Sequence, residues 1–333
     1  GSAQLYQKTV AAPRDAVYRS GVPARVILLQ DMFEDVNVPT PVYLFANAFR
    51  LTQSERRALR ARLAAYYGLD RPLGAQYVEY LLETVRGNLG WSIWLNRPVS
   101  QLILEHLPWT LLLTLSALTL ASLIGIGLGA EAGWRRGTRL DRALVTLSII
   151  ATNAPVYVVG MMLLILFAAH LDWFPLSGGR TPFARYDSPL AATQDIAWHW
   201  ILPATTLVLH LVGAKFLIVR NTMVSVLGED FMLMARAKGL REIRLKRAHA
   251  LRNALLPFVA QLGAQMGMAI TGTIFIETTF DYPGMGRLIF DAVAARDYPV
   301  IQGVFVVVAL VVLTANLIAD WINARLDPRV EVK

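Results

Sequence analysis

Five apolar runs dominate the chain, near 107–131, 143–169, 200–222, 253–279 and 299–322. Each is long enough to cross a bilayer as a helix, which takes about 20 residues. Small residues recur inside them at helical spacing. Ala121, Gly125 and Gly129 fall four apart, a face that lets another helix approach closely or that lines a pathway. Gly263 and Gly267 give the fourth run a similar face. The second run contains Asn153 and Pro155, and a proline there predicts a kink with a freed carbonyl, either ordinary for a bundle or part of a gate. The pattern predicts an all-α polytopic membrane protein, with a transmembrane domain over 107–323, a region at 1–106 ahead of it and a short tail at 324–333.

Residues 1–106 contain no signal peptide and no span. The longest uncharged run there, Val36 to Phe49, carries two prolines and is too short to cross. Thr52 with Glu55 three residues on forms a capping box, so a helix is expected from there to about Tyr67, ending at Gly68. A second helix is expected over 74–86, ending at Gly87.

Composition supports the membrane reading. The chain is 55% hydrophobic and only 17% charged, against the roughly 25% charged residues of soluble proteins. A net charge of +8 would suggest nucleic acid in a soluble protein; here it fits basic cytoplasmic loops. Arg135, Arg136, Arg139 and Arg142 crowd the 132–142 loop, and the 223–252 loop and the tail are also basic. The loops at 170–199 and 280–298 carry only two arginines each. The bias places the first three inside and the last two outside, which also puts residues 1–106 outside. That placement predicts a further transmembrane helix upstream of the sequence as it stands. Trp173, Phe174, Trp198 and Trp200 suit the outer interface. The chain has no cysteine, which decides nothing about redox.

The stretch Glu229 to Pro257 stands apart from the apolar runs. Phe231, Met234, Ala235 and Lys238 recur at helical spacing before Gly239, and Arg241, Arg244 and Arg247 form a basic stripe after it. Gly239 allows a stop and a turn. The pattern predicts two short cytoplasmic helices within 229–251 that present a knob to a partner; the alternative is a solvated basic loop that merely fixes topology.

Motifs for chemistry do not appear. There is no GxxxxGK[ST] loop, no HExxH, no GxSxG and no Cys/His ligand set, and the five histidines are scattered. No catalytic or metal site is expected. Inside the spans, His210 near mid-depth is either a functional group or a neutral histidine donating to a neighbouring helix. Lys215 is expected to snorkel towards the inner face, and Glu277 to lie at the outer interface.

Specific residues bear a family resemblance. Ala235-Arg236-Ala237-Lys238-Gly239, followed by Ala250-Leu251-Arg252-Asn253-Ala254-Leu255-Leu256-Pro257, resembles the cytoplasmic loop of ABC-importer permeases. Gly68-Leu69-Asp70-Arg71-Pro72-Leu73, Gln76-Tyr77 and Gly87-Asn88-Leu89-Gly90, with asparagine where the pattern has aspartate, narrow it to the peptide/nickel (dipeptide and oligopeptide) permease family, first-subunit type. Glu277, Phe280, Pro283-Gly284, Gly286 and Arg296-Asp297-Tyr298-Pro299 extend it to about residue 330. Leu233 and Met234 depart from the general permease loop, and residues 1–51 have no place in the pattern.

The resemblance implies a type I importer permease bundle in a prokaryotic inner membrane, of which five spans are visible and a sixth precedes them. It implies a second homologous permease subunit, two ABC ATPase subunits that carry ATP and Mg, and an extracytoplasmic substrate-binding protein. No cofactor of its own and no nucleic acid are implied; membrane lipid surrounds it. Met234, Ala235, Arg236, Ala237, Lys238, Gly239 and Leu240 are the candidates for coupling to the ATPases. Asn153, Pro155, His210, Gln265 and Glu277 are candidates for the translocation pathway, and Arg71, Trp91 and Trp94 for docking the binding protein. Peptides are the expected cargo, with nickel chelates, haem or oligosaccharides as alternatives. An ion-coupled secondary transporter would need paired intramembrane carboxylates, and a membrane-anchored scaffold would not transport at all.

Overall fold

A computed structural model describes residues 72–326. The expected helix at 52–67, Arg71, the whole of 1–51 and the end of the tail, with Arg329 and Lys333, lie outside the described residues. The described residues are helical with no strand, and they divide at Pro98 into two units.

In the first unit, α1 spans Leu73–Val85 and closes before Gly87, whose φ is +84°. Asn88 follows, its amide donating to Glu83 (2.8 Å) and its carbonyl accepting from Gly90 N (3.1 Å). An aspartate there would set a second carboxylate against Glu83, so this site favours asparagine.

The second unit is built on two long helices, α2 (Val99–Trp134) and α5 (Pro189–Val226). Their pairing follows from the small residues of α2. A Cβ on Gly125 would lie 2.7 Å from the Lys215 Cβ, one on Gly129 2.8 Å from the Phe216 carbonyl oxygen, and one on Gly133 2.6 Å from the Met223 Cβ. Backbones this close leave no room for alanine, so this face of α2 packs against a helix. Ser188 caps α5 by accepting from Ala191 N, with Pro189 in the first turn.

Between them lie α3 (Arg139–Asn153) and α4 (Val156–Leu163), the latter running on as a π-helical turn, Leu164–His170. The span expected at 143–169, with its kink at Pro155, is a pair of helices bent by 99°. Ala154 is extended, as residues before proline prefer, and Pro155 has no N–H to continue the ladder. Asn153 turns its amide back onto the Ile149 carbonyl at 2.7 Å, occupying an acceptor at the helix end.

After α5 come α6 (Asp230–Ala237), α7 (Glu242–Arg244), a π-helical stretch at Leu245–Leu251, α8 (Arg252–Ala260) and α9 (Leu262–Thr279). A turn at 280–284 leads to α10 (Met285–Ala295), which Arg296 closes in the left-handed conformation, and α11 (Tyr298–Leu326) follows. Among the described residues, α2, α5 and α11 are long and apolar enough to cross a membrane, and the bent α3–α4 pair makes a fourth candidate. Leu123, Leu147, Leu310 and Leu317 stay exposed on these helices, as a lipid-facing surface requires.

Candidate functional site

Among the described residues, two clusters of buried side chains organise the second unit, one towards each predicted face. The first cluster joins Ala130, Val219 and Met223 of the long helices to Met232, Ala235, Leu245, Ala250, Ala254 and Phe258. The short helix α6 is thus seated on the bundle by Met232 and Ala235, three residues apart on one face. Leu233 (60% exposed), Met234 (63%), Arg236, Ala237 and Lys238 point away from it. Ala235, expected in the knob, is part of its foundation; Met234 is on the outward side. Leu240 is half-buried against the same cluster. Gly239 has φ +73° with open space around its missing Cβ, so backbone conformation alone demands glycine there.

Ion pairs fasten the same region. Lys246 bonds Glu131 at the end of α2, and Arg135 pairs with that carboxylate at 2.6 Å. Lys246 thereby fastens the π-helical stretch to the end of α2. Arg220 grips Asp141 through Nε (3.0 Å) and Nη2 (2.8 Å), and Gly137 N adds a bond to Asp141 at 2.8 Å. The bidentate pair ties α3 to α5 roughly two turns before α5 ends at Val226. Sequence reasoning passed over Asp141, although it is the only acid in the 132–142 loop.

The second cluster joins Leu113, Ala117, Val156, Leu202, Leu207, Ile276, Phe280 and Tyr282. Glu277 is completely buried beside it rather than at an interface. Its carboxylate accepts from Thr110 Oγ1 (2.7 Å) and Arg287 N (3.1 Å), with further bonds from Gly286 N and the Thr273 side chain. Glu277 thereby caps α10 from outside that helix, where N–H groups otherwise lack partners and the dipole favours an anion. A Cβ on Gly284 would sit 2.3 Å from the Glu277 carboxyl carbon, which accounts for the glycine.

The remaining pathway candidates do not converge. Asn153 and Pro155 are exposed at the α3–α4 bend. Half-buried His210 leaves Nδ1 without a hydrogen bond. Lys215 is buried rather than snorkelled: its ammonium bonds the Gln265 carbonyl and lies 5.7 Å from the Phe258 ring centre. No hydrogen bond links Asn153, His210, Gln265 and Glu277 to one another among the described residues. Of the docking candidates, Trp91 is half-buried and donates to Asn96 Oδ1 at 3.0 Å, while Trp94 is exposed. No group of acids and histidines suited to a metal occurs among the described residues.

Residues 121–332 match the family described as binding-protein-dependent transport system inner membrane components. The chain is 35% identical over 289 residues to the dipeptide transport system permease protein DppB of Escherichia coli, covering 82% of this chain and 85% of that one. It is 36% identical over 276 residues to the di/tripeptide transport system permease protein DppB of Pseudomonas aeruginosa, covering 79% and 82%. It is 35% identical over 266 residues to the glutathione transport system permease protein GsiC of Salmonella choleraesuis, covering 80% and 82%. In structure it resembles a chain of the inward-facing MetNI methionine ABC transporter, with a TM-score of 0.55 at 15% identity, over 68% of this chain and 97% of that one.

Proposed function

The chain belongs to the family of binding-protein-dependent transport system inner membrane components, and on that premise we propose that it forms half of the translocation pathway of a peptide importer. As a permease subunit of an ABC importer it has an all-α bundle with the type I fold. Cargo is assigned to di- and oligopeptides because relatives at 35–36% identity over most of their length are described as dipeptide and di/tripeptide permeases. A second permease completes the pathway, two ATPases bind and hydrolyse MgATP, and an external binding protein delivers peptide.

One observation supports coupling through α6: its two faces have separate duties. Met232 and Ala235 seat it on the bundle, while Leu233 and Met234 remain exposed beside Arg236 and Lys238. An apolar tip with flanking cations suits an apolar cleft with an acidic rim. Because α5 leads into α6, and Arg220 of α5 is clamped to α3, a push on this tip reaches two helices of the bundle as a rigid displacement.

The test is uptake of a labelled dipeptide into proteoliposomes holding the complete transporter. ATP-dependent uptake is expected, and Leu233→Glu with Met234→Glu should abolish its link to hydrolysis while the permease stays inserted. Uptake driven by an ion gradient without ATP would replace this reading with a secondary transporter. ATP-driven uptake of nickel chelate, haem or oligosaccharide but not peptide would overturn the cargo alone.

A further inference from the structure

The extracytoplasmic loop between α4 and α5 is built around one carboxylate. Asp195, in the second turn of α5, accepts from Thr181 N (2.7 Å), Thr181 Oγ1 (2.6 Å) and Tyr186 OH (2.6 Å). The bond to Asp195 raises the pKa of the Tyr186 phenol above its ordinary value, so the donor keeps its proton at physiological pH. The stem of the loop is fixed as well. Gly178 N donates to the Phe280 carbonyl at 2.9 Å, and Gly179 lies so close to Pro283 that a Cβ would come within 2.8 Å of its ring.

Between the two residues that hold Asp195 lie Pro182, Phe183, Ala184 and Arg185. Phe183 is 103% exposed, as open as a side chain can be, and its φ is +58°. A non-glycine residue held left-handed is strained, and such strain persists only where surrounding bonds enforce it. Here the enforcing bonds are those to Asp195. The apolar tip carries exposed Arg180 and Arg185, with Asp187 on the return strand of the loop.

We propose that the Pro182–Arg185 turn is a preformed docking knob, with Phe183 as its anchor, for an apolar pocket rimmed by carboxylates on the external substrate-binding protein. This rests on the reading of the chain as the permease of a binding-protein-dependent importer. The positive-inside pattern puts the loop on the side where that protein arrives. A lipid surface would explain an exposed phenylalanine, yet fluid acyl chains accept an aromatic ring in any orientation and give a clamped, strained backbone no advantage. A shaped protein pocket rewards a side chain already fixed in its bound geometry, and buried aromatics flanked by arginine are the residues that dominate such interfaces. Asp195 acts as a positioning residue through Thr181 and Tyr186.

The experiment uses the complete transporter in proteoliposomes, with the purified binding protein that supports uptake by the wild-type complex. Phe183→Ala should raise the Kd for that protein by about tenfold or more, the effect of losing an interface anchor. Basal ATP hydrolysis and assembly with the ATPases should be unchanged, since the ring is fully exposed among the described residues. Phe183→Trp should keep most of the affinity, and Asp195→Ala should lose affinity with the ring still present. A dye on Ala184→Cys, in a chain with no other cysteine, should shift to the blue only when the binding protein is added. Wild-type Kd in Phe183→Ala would overturn the proposal, as would a full blue shift from lipid alone. Absence of ATP-dependent uptake by the wild-type complex would sink the underlying permease reading too; normal uptake with an unaffected Phe183→Ala would sink only the knob.

Discussion

At the scale of single residues, Ala235 and its neighbours separate two effects that a sequence pattern merges. Ala235 is buried in one cluster with Met232, Leu245 and Ala250. Ala235→Glu would bury a carboxylate with no partner, at about 2–4 kcal/mol or more. It should lower the thermal stability of the purified permease before any ATPase is added. Leu233→Glu and Met234→Glu should leave that stability within about 0.5 kcal/mol, as exposed substitutions do, yet weaken ATPase association. Equal melting shifts for Ala235→Glu and Leu233→Glu would show that the two faces are not distinct. Gly239 sits at φ +73° in open space. Valine there should cost about 1–2 kcal/mol in local order, and asparagine less. Co-purification of the ATPases with Gly239→Val and Gly239→Asn permeases checks that ranking.

At the scale of elements, two carboxylates join helices that are far apart in sequence. Asp141 ties α3 to α5 through Arg220, and Asp141→Asn should destabilise the bundle by about 3 kcal/mol, because breaking a pair with one buried partner leaves an uncompensated charge. Exchanging the pair, Asp141→Arg with Arg220→Asp, should recover less than half, since Gly137 N would then face a cation. Thermal unfolding in detergent measures both, and a neutral Asp141→Asn would show the clasp to be dispensable. Glu277 does the equivalent work for α10, through Thr110 Oγ1, Gly286 N and Arg287 N. Glu277→Ala should free that helix terminus and cost about 2 kcal/mol or more. Glu277→Gln, which keeps an acceptor, should cost less. Faster hydrogen exchange confined to 285–295 in the alanine variant is the expected signature.

At the scale of the whole molecule, the arrangement of loops about the membrane is open to direct test. Arg136→Cys and Lys238→Cys should react with an impermeant thiol reagent only after the cells are opened, and Ser177→Cys should react from outside in intact cells. These positions are exposed, whereas a side chain on Gly284 would collide with Glu277 and one on Gly239 would be strained. Labelling of Lys238→Cys from outside would invert the model and remove α6 from reach of any cytoplasmic ATPase.

The sequence by itself determined what depends on local composition. Runs of apolar residues long enough for a bilayer, arginines concentrated in alternate loops and glycines four apart in α2 follow from the cost of burying polar groups in lipid and from the space a Cβ occupies. The family was equally legible, because the residues around Gly239 and before the last helix fall at fixed spacing. Partnership over long distances was decided only by the tertiary structure. Lys215 reads as a snorkelling lysine until Gln265, 50 residues on, is placed against it. Glu277 reads as an interfacial acid until α10 turns its N–H groups onto it. Ala235 reads as part of a knob because helical spacing gives the faces of α6 but not which face the bundle covers. Periodicity fixes the relation of a residue to its own helix; the direction of burial is set by the neighbours that close around it.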